Sequence, residues 1–374
     1  MRKREASYEL LRIIAIVMVL VLHYLNHSGS LLVSGQEPVS KQVLGQFIES
    51  FCIVAVDVWI LISGYFLSRS GFKLSRILQL LAEVYFYTLG ITLVMNMVNS
   101  VSTSRPDYIY KTTQFFFPIS SEHYSFATAY LMLYVIAPVL NRGVEYLRRK
   151  QLRAVILGLL LWMCFIKSVI PVNFATDRMG YDLDWYIVLY LTAAYIRKYD
   201  VKLLGTAGKC LALFAGSGLM NFLISFGFHR INLMTGRFNY YARVPYHYNF
   251  IFCFTGALGL FSLFRYITLR EGLLAKFARA FAPFSFGIYL LHEHLEIRGR
   301  WLSWMEGIFG RVPDSAPGML LHLILCVIVL FFSCCFVDFV RAVIFKFVSS
   351  RYGNSRPFRF VKRLEGDLWD GSED

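Results

Sequence analysis

The sequence predicts an all-α protein, a polytopic transmembrane helical bundle of about ten spans with both termini cytoplasmic. Three observations carry this. The residues are 57% hydrophobic and only 17% charged, where a soluble domain of this size carries roughly a quarter charged residues. Mean hydropathy is +0.53. Long apolar runs recur, each bounded by short polar loops, and lipid is the solvent that such runs fit.

The spans are predicted near 9–27, 44–67, 77–98, 124–141, 154–171, 184–197, 203–228, 248–265, 280–297 and 318–346. The sixth is short, and the last is long enough to continue past the lipid. The first follows Met1-Arg2-Lys3-Arg4 and could be taken for a signal peptide. Glu9, Arg12 and His23 interrupt its apolar stretch, and no small-x-small site follows, so it reads as a retained span.

Orientation follows from the loops. One alternating set is rich in cations: Arg2, Lys3 and Arg4; Arg69, Lys73 and Arg76; Arg142, Arg148, Arg149, Lys150 and Arg153; Arg197, Lys198 and Lys202; Arg265, Arg270, Lys276 and Arg279. The opposite set, including Lys41, Arg105, Lys111 and Arg178, is poorer. Cytoplasmic loops carry the excess, which puts both termini in the cytoplasm of a protein that spans the cytoplasmic membrane. The same distribution accounts for the net charge of +14 without nucleic acid as a partner.

Residues 1–348 read as one membrane domain, and 349–374 as a polar, flexible cytoplasmic tail. The seven cysteines lie in or beside apolar runs, with no zinc-like spacing, so neither a metal site nor a disulfide framework is expected.

Ionisable groups inside spans are costly and mark candidate sites. Arg12 and His23 are eleven positions apart, which on an α-helix leaves them about 20° from superposition and roughly 16 Å apart along the axis. Sharing a face, they can line a polar cavity. Alternatively, Arg12 snorkels to headgroups and His23 serves a helix contact. Asp57, in the second span, needs a partner such as His23 or a basic residue. Glu83 sits two turns into the third span, where a neighbouring helix could pair it. His292, near the end of the ninth, is either a site residue or a solvated interfacial imidazole. Lys73 and Arg76, three apart, share a helical face, and Arg69 lies upstream in the same basic loop, a pattern that suits phosphate groups as well as topology.

These residues resemble the membrane acyltransferase-3 family, the multi-spanning O-acyltransferases of bacterial surface polysaccharides. The family hallmark, an Arg followed after ten residues by a His, is matched by Arg12 and His23. The segment from Val56-Asp57 to Ile62-Ser63-Gly64-Tyr65 is similar to its second-span motif. Thr128 to Tyr134 with Pro138 is similar to its mid-chain segment, and Ser285 to His292 to its late-span motif. The chain departs from the family pattern in three places. Lys73 stands where an Arg is common, Ile60 follows Trp59 in place of an aromatic pair, and Ser125 stands where a Trp is frequent.

The resemblance implies transfer of an acyl group, acetyl first, from cytoplasmic acyl-CoA (acetyl-CoA as donor) to a hydroxyl of a surface polysaccharide or lipid-linked glycan. It implies His23 as general base or acyl carrier, with Asp57 orienting or charge-stabilising it and Arg12, the third catalytic residue, facing the donor side. Arg69, Lys73 and Arg76 fall on the donor side, and Glu83, Tyr289 and His292 on the acceptor side. A transporter or flippase for a lipid-linked sugar or anion is the alternative, since buried ionisable groups suit it too. The orientation has its own test. Ser34→Cys should react with an impermeant thiol reagent from outside the cell and Gln151→Cys should not; the opposite pattern would invert the topology.

Overall fold

The computed structural model describes residues 5–99, 116–119, 122–172, 177–199, 201–353 and 355–369. Arg2, Lys3, Arg4, Arg105 and Lys111, used in the charge argument, lie outside the described residues. The described chain is helical, with no strand among those residues. In order the helices are α1 (Ala6–His27), α2 (Ser40–Cys52), α3 (Ala55–Leu67), α4 (Leu74–Asn99), α5 (Ser125–Tyr146), α6 (Arg149–Leu160), α7 (Leu183–Lys198), α8 (Ala207–Thr235), α9 (Ile251–Leu263), α10 (Leu273–Phe281), α11 (Ser285–His292), α12 (Trp301–Phe309), α13 (Ala316–Tyr352) and α14 (Arg356–Trp369).

Local chemistry sets several boundaries. The Thr206 hydroxyl accepts from Lys209 N at 3.3 Å and caps the start of α8, and Gly236, at φ +68°, ends it. The Ser315 hydroxyl caps α13 in the same way through Gly318 N. Pro283 lies in the turn that separates α10 from α11. A π-helical stretch, Leu161–Ile166, continues α6.

Among the described residues, eight segments are long and apolar enough to cross a bilayer: α1, α2 with α3, α4, α5, α6 with its continuation to Val169, α8, α10 with α11, and α13. The remaining two of the ten predicted spans fall on α7 and α9. With 16 and 13 residues, these reach about 24 Å and 20 Å, against a hydrocarbon core of roughly 30 Å. Both are packed inside the bundle rather than against lipid. Trp185, Leu189, Tyr190 and Ala193 of α7, and Cys253, Ala257 and Phe261 of α9, are fully buried. A helix enclosed by protein has no lipid thickness to match.

The polarity of α13 is inside out. Phe332, Phe336, Phe339 and Phe347 are exposed while His322, Asp338 and Arg341 are buried, the arrangement expected where the solvent is hydrocarbon. The buried groups are paired. Arg341 donates to both Asp338 oxygens at 2.8 and 2.9 Å and to Glu83 of α4 at 3.0 Å. Tyr87 of α4 also donates to Asp338. Asp338 leaves no room for a Cβ on Gly287, so the network seats α11 directly against α13.

Helix continues into the segment predicted as the tail, whose residues 354 and 370–374 lie outside the described ones. α13 runs to Tyr352, and α14 follows, with Glu365 Oε2 accepting from Ser75 N at 3.2 Å in the first turn of α4. The helix alternates Arg359, Arg363 and Glu365 with Phe360, Val361 and Leu364. That amphipathic pattern, spread over a polar segment, is what an average of its composition hides.

Arg341→Leu would leave two buried carboxylates without their cation. Breaking such a network costs about 3–5 kcal/mol, so the thermal midpoint of the detergent-solubilised protein should fall sharply. Glu83→Gln, which keeps a hydrogen-bonding group, should cost less. An Arg341→Leu midpoint equal to that of the parent would mean the network adds no stability.

Candidate active site

α1 packs through Leu11, Ala15, Ile16, Leu20 and Tyr24, all buried, and keeps Arg12 and His23 part-exposed, at 27% and 28%. The common face read from their spacing is present. Arg12 donates to Glu9 of its own helix at 2.7 Å and lies over the Phe66 ring at 5.9 Å.

His23 meets the end of α11. Its Nδ1 lies 2.9 Å from His292 Nε2 and 3.0 Å from Glu293 Oε1. His292 Nδ1 lies 2.6 Å from the Ile288 carbonyl oxygen. That oxygen can only accept, so His292 carries a proton on Nδ1. With both rings neutral, His292 Nε2 is then a lone pair, and the proton between the rings belongs to His23 Nδ1. His23 Nε2 is left as the free lone pair. The protonation order thus follows from a chain of contacts that starts at a backbone carbonyl.

His23 and Glu293 line a cavity of about 90 Å³ with Trp59, Phe126, Tyr181 and Tyr289. Tyr289 packs edge-on to Phe126 at 5.2 Å. Ser125 and Tyr181 also line a larger cleft of about 920 Å³, whose polar wall is Asp177, Arg178, Asp182 and Asp184. Tyr181 is aimed by its own loop. Gly180, at φ +82°, has Asn249 N where a Cβ would stand, and Asp177 is held by buried Lys167 and by Asn249. At the basic end, a separate cavity of about 590 Å³ is lined by Arg69, Phe72, Tyr134, Asn141 and Arg142.

The model of the acyltransferase domain family Acyl_transf_3 matches residues 5–338, nearly the whole chain. The chain belongs to the acyltransferase-3 family. No curated protein matches the chain, and no solved structure does. The match makes this protein a membrane acyltransferase.

The structure sorts the residues predicted for this acyltransferase. His23 and His292 are brought together, with Tyr289 in the same cavity wall. Arg69 faces the basic-end cavity. Lys73 and Arg76 flank it, Lys73 N donating to the Tyr134 hydroxyl at 3.1 Å and Arg76 lying over the Tyr134 ring. Asp57 is elsewhere. Its carboxylate accepts from the Trp185 indole at 3.0 Å and faces Cys253, tying α3 to α7 and α9, so the carboxylate beside His23 is Glu293. Glu83 likewise belongs to the Arg341 network and not to the cavity of His23. Glu293 and Tyr181 are additions. Glu293 adjoins His292 in the late-span motif, a signal already present in the sequence; nothing local marked Tyr181.

Asp57→Asn keeps an oxygen for the Trp185 N–H and should retain most of both stability and transfer activity. Asp57→Leu leaves that indole unpaired and should cost about 1–3 kcal/mol in unfolding free energy. A hundredfold loss of activity in well-folded Asp57→Asn would return Asp57 to a chemical role.

Proposed function

We propose that this acyltransferase moves an acyl group, acetyl first among candidates, from cytoplasmic acyl-CoA to a hydroxyl of a cell-surface glycan, free or lipid-linked. The observation that carries the reading is the contact of His23 Nδ1 with His292 and Glu293 beside an aromatic cavity, from which an unprotonated His23 Nε2 is inferred. Two openings on different sides support the split of substrates. The basic-end cavity offers Arg69 and Arg142 to CoA phosphates. The cleft shared through Tyr181 and Ser125 offers an aromatic ring and carboxylates to a polyhydroxyl acceptor.

In direct transfer, His23 Nε2 takes the proton of the acceptor hydroxyl while its oxygen attacks the thioester carbonyl. The tetrahedral adduct then expels the CoA thiolate, and the imidazolium returns the proton to that sulfur. Glu293 matches the positive charge that His23 carries in between, as a carboxylate does in a triad. In a relay, Nε2 attacks the carbonyl itself, and an acyl-imidazole then passes the acyl group to the hydroxyl. Labelled acyl-CoA without acceptor separates the two, since label stays on the protein only in the relay.

His23→Gln is the main test. Glutamine keeps a hydrogen bond but accepts no proton at neutral pH, and loss of a general base lowers rate by about 10²–10⁴. Membranes containing His23→Gln and labelled acetyl-CoA should leave surface glycan nearly unlabelled, whereas His27→Ala should label it almost as the parent does. Near-parental labelling by a folded His23→Gln protein would reduce His23 to a packing residue and remove the mechanism.

A further inference from the structure

We propose that His23, His292 and Glu293 also form a binding site for a transition-metal dication of the zinc type, and that the bound ion switches the transferase off. The inhibitory half rests on the function proposed above; the binding half does not.

Three donor atoms, His23 Nδ1, His292 Nε2 and Glu293 Oε1, lie within 4.8 Å of one another. Two imidazole nitrogens and one carboxylate oxygen form a zinc donor set, while magnesium and calcium require mostly oxygen. His292 is already oriented as a ligand. A metal-bound imidazole commonly donates its other N–H to a carbonyl, and His292 Nδ1 does so to Ile288. His23 and Glu293 are partly open to the cavity, at 28% and 21%, which leaves a fourth position for water, as in sites with three protein ligands.

The fit requires the three ligands to move. The separations from His23 Nδ1 are 2.9 and 3.0 Å, whereas a tetrahedral ion with bonds of about 2.0–2.1 Å sets ligands roughly 3.3 Å apart. The two separations from His23 Nδ1 must open by a few tenths of an ångström and the three donors, now within 4.8 Å of one another, must all settle to that spacing, a movement that the turn beginning at Glu293 can supply. Two other buried histidines are unsuited. His294 Nδ1 accepts from Glu296 N and its Nε2 meets the Thr88 carbonyl. His322 is held between the Tyr24 hydroxyl and the Gly310 carbonyl.

Inhibition follows from proton balance. A metal at His23 Nδ1 displaces the proton there, and the neutral ring must carry it on Nε2 instead. No proton leaves the ring, yet the lone pair that would take the acceptor proton is gone. Glu293 and His292 bind the ion through atoms that carry no proton, so the switch is a tautomer exchange on one side chain.

The test uses the full chain purified in detergent, titrated with ZnCl2 against a chromophoric zinc indicator. One equivalent should bind. Loss of even an outer-shell partner weakens zinc sites by roughly 10–100-fold, so His292→Gln and Glu293→Gln should each weaken binding at least tenfold, with His27→Ala unchanged. CoCl2 in place of zinc should give the intense visible absorption of a four-coordinate ion. Equal zinc affinity in His292→Gln, Glu293→Gln and parent, or a weak six-coordinate cobalt spectrum, would overturn the site. With zinc bound, acetyl transfer should stop and return on chelation; undiminished transfer would overturn the inhibition and leave the site. If no acyl transfer is found with any donor, the proposed function fails while the binding result stands or falls alone.

Discussion

The hydrogen bond from His292 Nδ1 to the Ile288 carbonyl constrains everything downstream of it in the site. A carbonyl oxygen has no proton to give, so the direction of donation is fixed at that contact and passes across two rings to His23. Reversing the order would set a lone pair against a lone pair at 2.6 Å. The geometry of one helix end therefore decides which nitrogen of a residue 269 positions away can act as a base. The contact is a backbone one, so side-chain substitution at position 288 leaves the acceptor in place.

That helix end must itself be held. α11 has only eight residues and carries Gly287, Ile288, Tyr289 and His292 in two turns. On one side Gly287 presses on Asp338, which Arg341 and Tyr87 hold in place. On another, the Tyr124 hydroxyl donates to the Leu290 carbonyl at 2.8 Å, satisfying part of a helix terminus that lipid could not. The buried charges of Arg341, Asp338 and Glu83 thus stand behind the site without entering it. The guanidinium hydrogen-bonds directly to both carboxylates, the arrangement in which attraction best offsets desolvation.

Much of the fold was legible because lipid imposes a strong pattern: apolar runs, cationic loops and rare interior charges. The eight long segments follow that pattern closely. α7 and α9 were harder, since helices enclosed by protein are under no constraint of bilayer thickness. The amphipathic helix Arg356–Trp369 was obscured because its polar face dominates its composition. At the site, Arg12 and His23 share a helix, and a period of 3.6 relates them directly. His292 was found through its motif, but its pairing with His23 depends on which helices are neighbours, and spacing carries no such information. The same gap explains Asp57. A buried carboxylate demands a partner, and the sequence supplies the demand without the address, so an indole N–H on α7 answers where an imidazole was expected. Glu83 found Arg341 on the last span for the same reason.

The position of Glu293 also reconciles two requirements that oppose each other. A base needs an unprotonated imidazole before reaction, and the aromatic walls around His23 supply a surrounding of low polarity for it. The direct transfer proposed above would then place a positive charge on that ring, where low polarity is unfavourable. A carboxylate 3.0 Å from Nδ1 stabilises the charged form only once it appears, because Nδ1 already holds its proton in both forms. The gain falls on the charge-separated state, which is the differential stabilisation that catalysis requires. Were that carboxylate on the Nε2 side instead, it would occupy the space that the proposal gives to the acceptor hydroxyl. Its placement at the residue after His292, beyond the last turn of α11, keeps it on the Nδ1 edge of the ring and leaves the Nε2 edge open for the chemistry proposed.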